Sequence, residues 1–240
     1  MTIFISPPFG NYINLPETKS IKGSYTLKPR GGLIFQILKT LRLTQINGEY
    51  HWINKIGLRN RGIDYGLQQY NHQTDVLSIA ILEPEEIDEL NKKIPPDVNL
   101  EINISCPNAE KEMTSGGVEV FLNPEREWCC LKLSPLINTG EVDKYYNNGF
   151  RQFHCCNTYP SEKGGISGEE VKPHSEKLVK YISEEYPDCQ IVAGGGIYGY
   201  HNLVRYQNLG ATHFSVSTLF FNPVNTFYFF HDYYFSLLCK

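Results

Sequence analysis

The 240 residues carry 22 Lys+Arg against 26 Asp+Glu, a formal net charge of −4. Mean hydropathy is −0.34 with 13% aromatic residues and 20 glycines, a composition that supports a buried core and excludes a disordered chain. The acidic balance excludes a general nucleic-acid surface, no apolar run approaches the roughly 18 residues that span a bilayer, and the first residues lack a signal-peptide pattern.

In chain order, the first candidate strand lies at residues 3–5, extending towards 13, and the second at 21–27. Only residues 14–19 then separate them, whereas a parallel crossover takes about a dozen. The first βα unit is therefore expected to be incomplete: its strand is rudimentary, or its covering helix is absent. Asn47-Gly48 between strand-like flanks marks a hairpin turn leading into residues 51–55. From Asp75 the alternation is regular. A strand at 76–82 precedes a helix at 84–93 with acidic residues in its first turn. A strand at 100–104 leads into a long polar loop from Ser105. Strand 128–133 and helix 139–148 follow, then strand 151–156 and a Gly-rich loop ending at Gly168. Helix 172–185 is amphipathic; strand 190–193 runs into Gly194-Gly195-Gly196. Helix 200–208, strand 212–216 and a final helix at 224–238 complete the chain. The aromatic run 227–235 reads as core packed across the other elements, the alternative being an exposed face for a partner or a homodimer. Such alternation implies right-handed βαβ crossovers and an α/β fold: a (β/α)8 TIM barrel in a single domain over residues 1–240, incomplete at its first unit. The alternative is an open doubly wound sheet.

The seven cysteines are odd in number. The adjacent pairs Cys129-Cys130 and Cys155-Cys156 lie in strands, where neighbours face opposite ways and do not readily bridge. No C-x-x-C and no H-x-x-x-H occurs, so no metal site is expected, and a reducing, cytoplasmic setting fits the cysteine usage.

Barrel enzymes carry their sites at the C-terminal strand ends. Lys132 there is expected to point into the mouth, which requires a partner or an anionic group. Gly164–Gly168 and Gly194–Gly196 offer bare backbone N–H groups for a phosphate, with Ser217 and Thr218 as hydroxyl donors; their alternative is plain tight turns. Asn54, Asn103, Asn108 and Asn157 together suit a flat, amide-rich ligand, although each alone is an ordinary turn residue. Cys106 sits before a proline in a polar loop. It can serve as a general base where its pKa is lowered and is otherwise inert.

Taken in order, Gly23-Ser24-Tyr25-Thr26, Asn54 to Asp64 (NKIGLRNRGID), Ser78-Ile79-Ala80, Asn103-Ile104-Ser105-Cys106-Pro107-Asn108, Lys132 to Pro135, Asn157 to Gly168, the triple glycine, and Gly210-Ala211 leading to Ser217-Thr218 resemble the dihydroorotate dehydrogenase family. These are FMN-dependent barrel enzymes of pyrimidine biosynthesis, and the resemblance covers nearly the whole chain. It implies an oxidoreductase with FMN as cofactor and a small pyrimidine substrate. Cys106 would be the base taking the C5 proton of dihydroorotate while hydride leaves C6 for the flavin. Lys132 would stand by the flavin ring and stabilise its reduced form. Asn54, Asn103, Asn108, Asn157 and Thr158 would hold the pyrimidine, with backbone contacts from Gly57 and Leu58. Ser24 and Asn103 would line the flavin pocket, and Gly168, Gly195, Gly196, Ser217 and Thr218 would cradle the phosphate and ribityl chain. A cysteine at 106 resembles the fumarate-type class. The chain departs from the family at Gly10-Asn11-Tyr12-Ile13, where bulky Tyr12 replaces small residues and the following helix is missing. Lys19 and Lys22 are the nearest lysines to that region, and neither aligns with the family's. Two further readings stay open: a flavin barrel acting on another dihydropyrimidine, and a decayed, non-catalytic binding protein.

Overall fold

The computed structural model describes residues 1–46, 49–105 and 116–239. The strands are β1 (Ile3–Ile5), β2 (Thr18–Tyr25), β3 (Arg42–Ile46), β4 (Glu49–Asn54), β5 (Asp75–Ile79), β6 (Leu100–Asn103), β7 (Cys129–Lys132), β8 (Gln152–Cys155), β9 (Tyr159–Ser161), β10 (Gly164–Ser167), β11 (Gln190–Gly194) and β12 (His213–Val216). The helices are α1 (Leu33–Thr40), α2 (Ile63–Gln68), α3 (Glu86–Lys93), α4 (Thr139–Asn147), α5 (Lys172–Glu185), α6 (Tyr200–Asn208) and α7 (Pro223–Leu238). Eight parallel strands close into a barrel in the order β1-β12-β11-β8-β7-β6-β5-β2, and a separate antiparallel sheet runs β3-β4-β10-β9. No helix of the described residues is long and apolar enough to cross a membrane.

Strand alternation sorts the side chains. Ile3, Ile5, Leu77, Ile79, Leu100, Ile102, Leu131 and Phe153 face the helices in the main core. Phe4, Ile21, Val76, Cys130 and Val192 form a second apolar cluster inside the barrel, covered by Trp128. One step further along the strands the same alternation turns Ser78, Glu101, His154 and Ser215 inward, all buried. Barrel interiors are ordinarily filled with branched apolar residues; the layer under this mouth is polar instead.

The first unit is indeed abbreviated. β1 has three residues and does not extend to Ile13, because Pro7 and Pro8 cannot donate to a ladder and a 3-10 turn follows at Phe9–Asn11. The chain then returns to β2 alongside β1 with Ile3 opposite Thr18. The bare wall is tied down by α7: Tyr233 Oη donates to the Glu17 carbonyl (2.9 Å) and Tyr234 Oη to that of Pro16 (3.1 Å). Of the aromatic run, Phe229, Phe230 and Tyr233 are core, while Phe227, Tyr228 and Phe235 are exposed, so the core reading holds for part of the run. The β6–β7 connection carries only a 3-10 turn, Val118–Phe121, among its described residues. There the buried Arg126 acts as a staple, donating to the carbonyls of Val98 (2.5 Å), Phe121 and Pro95 (3.1 Å).

The flanks of Asn47-Gly48 pair as a hairpin, Ile46 opposite Glu49; the turn itself lies outside the described residues. Two helices, α1 and α2, go beyond the sequence reading. The Gly164–Gly168 loop needs correction: Gly164 to Ser167 form β10, which pairs with β4, Gly165 opposite Asn54. The physical reason is close approach, since a Cβ on Gly164 would stand 2.4 Å from the Asn54 carbonyl oxygen. Trp52 of β4 stacks on Phe221 with centroids 4.1 Å apart, fixing this sheet over the barrel rim.

Candidate functional site

A cavity of about 760 Å³ opens at the C-terminal ends of the strands, a size at which small-molecule and cofactor sites are common. It gathers most of the residues singled out from the sequence. Ser24, Asn54, Gly57, Leu58, Asn103 and Lys132 line it, as do Asn157, Thr158, Gly168, Gly195, Gly196, Ser217 and Thr218. Cys106 and Asn108 lie outside the described residues.

Each side chain is placed by a local device. β2 has an irregularity between Lys22 and Tyr25, where Gly23 adopts φ +122°, a conformation natural to glycine. A Cβ there would meet the Ser78 carbonyl oxygen at 2.4 Å. This break aims Ser24 at the mouth, where its hydroxyl shares a hydrogen bond with Ser78 (2.8 Å) and accepts from Asn103 Nδ2 (3.0 Å). Asn103 Oδ1 in turn accepts from Asn157 Nδ2 (3.0 Å), which also donates to the Ser105 carbonyl. Two of the expected pyrimidine-binding amides are thus locked to each other across β6 and β8.

Lys132 turns into the mouth, as expected, and is compensated by Glu101: Nζ lies 3.7 Å from Oε1. Glu101 also accepts from Ser78 Oγ (2.9 Å) and from His154 Nδ1 (2.6 Å). Burial pushes the Glu101 carboxyl up, but Lys132, His154 and the two hydrogen bonds outweigh it and hold it at about 2. Burial pushes the His154 imidazole down despite Glu101 beside it. The site therefore holds a carboxylate, an ammonium and a buried imidazole whose proton sits on Nδ1, facing the carboxylate. Cys156, the described thiol lining the cavity, is driven well up by burial and stays protonated. Lys22, although it lines the cavity, is held by Asp75 at 2.6 Å.

Another part of the cavity lining is backbone. Gly168, Gly195 and Gly196 have φ of +103°, +93° and +65°. A Cβ on Gly195 would stand 2.8 Å from Val171 Cγ1, and one on Gly168 2.4 Å from Tyr198 Oη. Ser217 Oγ donates to the Pro7 carbonyl (3.0 Å). Thr218 shares a hydrogen bond with Tyr198. An anion here rests on peptide N–H groups first. No group of three or more metal-ligating side chains occurs among the described residues.

Glu101, His154 and Ser78 were not expected from the sequence. The signal was present: in Leu-Glu-Ile-Asn and Gln-Phe-His-Cys the period of two puts Glu101 on the face of Asn103 and His154 on the face opposite Phe153 and Cys155.

No family model matches the chain. It is 29% identical over 205 residues to the catalytic subunit of dihydroorotate dehydrogenase B (NAD(+)) of Petrotoga mobilis, covering 71% of this chain and 68% of the relative. Against the subunit of the same name from Thermotoga maritima it is 25% identical over 265 residues, covering 92% of each. Among solved structures, the ligand-free DHODH of Eimeria tenella superposes with a TM-score of 0.64 at 17% identity, over 90% of this chain and 78% of that one, a likeness of fold. With its closed eight-stranded barrel and its ordered motifs, the chain is a distant relative of the dihydroorotate dehydrogenases.

Proposed function

We propose that the chain is an FMN-dependent oxidoreductase that oxidises dihydroorotate, or a close dihydropyrimidine, within one cytoplasmic barrel domain spanning residues 1–240. The observation that carries this reading is one cavity lined both by the glycine backbone of Gly168, Gly195 and Gly196 and by the polar side chains of Lys132, Asn54, Asn103 and Asn157.

The residues present fit the cofactor. The glycine lining has no room for a Cβ at Gly195 or Gly168 and presents peptide N–H groups suited to a phosphate. Lys132 supplies a cation to the same cavity, where negative charge on a reduced ring would need it. When bound, FMN supplies an acceptor for a hydride. The chain's own work is to orient the pyrimidine through Asn54, Asn103, Asn157 and Thr158, with backbone contacts from Gly57 and Leu58. Cys106, three positions after the end of β6 in the sequence, takes the C5 proton.

The purified protein is expected to be yellow, or to become so with added FMN, and to bleach on anaerobic titration with dihydroorotate. Cys106→Ser is expected to slow bleaching at neutral pH while leaving FMN bound. A protein that stays colourless in excess FMN would overturn the proposal. Bleaching by another dihydropyrimidine, with none by dihydroorotate, would move the substrate and keep the cofactor.

A further inference from the structure

The polar layer beneath the mouth contains a group that the proposed chemistry leaves unused. His154 is 2% exposed, and its Nδ1 lies 2.6 Å from Glu101 Oε2. The other carboxylate oxygen takes a hydrogen bond from Ser78 at 2.9 Å. Lys132 Nζ stands 3.7 Å from that same oxygen, beyond hydrogen-bond reach. The ammonium is therefore neutralised without its hydrogens being consumed. A carboxylate with both oxygens already supplied with donors has less pull on a third. Deprived of one donor in a buried site, it takes a replacement within reach, and the Lys132 ammonium stands 3.7 Å from its Oε1.

We propose that His154 is a positioning residue: by occupying Glu101 it keeps the Lys132 ammonium undrawn, with its N–H donors delivered to the cavity. What those donors meet there rests on the flavin reading above; the spacing itself does not. Ser78 does the same for the other oxygen and connects the device through Ser24 to Asn103. One hydrogen-bonded chain thus joins the ammonium's counter-ion to the amide pair lining the cavity.

Two variants separate the donor from the ring. In His154→Asn the amide nitrogen falls near the place of Nδ1 and can still serve Glu101. In His154→Leu the volume is similar and the donor is gone. Crystal structures of the wild-type protein and both variants, without added ligand, read the Lys132–Glu101 separation. It is expected to stay near 3.7 Å in wild type and His154→Asn, and to close to hydrogen-bond distance, about 2.8 Å, in His154→Leu. With FMN, His154→Leu is expected to weaken binding of reduced flavin about tenfold more than that of oxidised flavin, the scale of one charge-assisted hydrogen bond. His154→Asn should show little of this difference. An unchanged separation in His154→Leu overturns the inference whatever the flavin does. A closed separation in a protein that never binds FMN upholds the positioning role and sinks the flavin reading instead. If the leucine variant does not fold, His154→Gln takes its place, because its amide reaches the position of Nε2 rather than Nδ1. An open separation there overturns the inference equally.

Discussion

Glu101 is the residue on which acid behaviour turns. Its folded carboxyl sits at about 2 against an ordinary 4.5, so its contribution to stability is complete above about pH 4.5 and is lost as pH falls towards 2. His154 acts in the same direction. Its folded value lies below the ordinary 6.5, so its contribution is complete above pH 6.5 and declines as pH drops through the folded value. Urea unfolding at pH 7, 5.5, 4 and 3 should show wild-type stability falling throughout. Glu101→Gln should be less stable at pH 7 by about 3 kcal/mol, because it strands Lys132, and should show a shallower fall below pH 4.5. Parallel curves for the two proteins would contradict this assignment of the charge. Both residues were open to a reading of strand period. They escaped notice because a buried charge in a strand announces itself only when its partner, from a strand far along the chain, is known.

Among the elements, β10 shows how a site can depend on a backbone contact. Gly164→Ala places a methyl group 2.4 Å from the Asn54 carbonyl oxygen, and β4 and β10 must part. The barrel hydrogen bonds lie elsewhere, so the fold should survive with a small loss of melting temperature. Orotate affinity, measured by titration, should fall by tenfold or more, about 1.4 kcal/mol; an undiminished affinity would mean that the rim sheet does not position Asn54. Local patterns explain which elements were legible. α5 and α6 match their expected bounds because their apolar spacing is helical throughout. The two helices not expected, α1 and α2, gave no such signal. α1 turns Ile34, Phe35 and Leu38 outward and has no side-chain cap on Gly32, so its stripe points away from the core that a sequence reading assumes. α2 is too short to show a period. The glycines of β10 spell a loop by composition, and only the partner strand makes them a ladder.

For the whole molecule, closure falls to α7. Tyr233 is 1% exposed, and its hydroxyl holds the Glu17 carbonyl where a first covering helix is lacking. Tyr233→Phe should cost about 1 kcal/mol, the worth of one hydrogen bond, and lower the melting temperature by about 2–4 °C. Tyr233→Ala should cost about 3–5 kcal/mol through the cavity it leaves. No loss in Tyr233→Phe, by calorimetry, would mean that the ring and not the hydroxyl secures the wall. The barrel as a whole was readable from alternation, and the family from motifs spread along the chain. The gap between the first two strands was also visible, but not what fills it, because the filling comes from the far end of the sequence.

Ile3–Ile5 finds one of its two neighbours in His213–Val216, which has a consequence for biosynthesis. A ribosome delivers that neighbour after every other strand of the barrel, so until then the nascent sheet has two open edges and the carboxylate–imidazole layer faces water. The chain can acquire a sealed, ligand-ready interior only once that strand is out of the tunnel, and a stalled product lacking it would be a target for chaperones rather than a partly loaded enzyme.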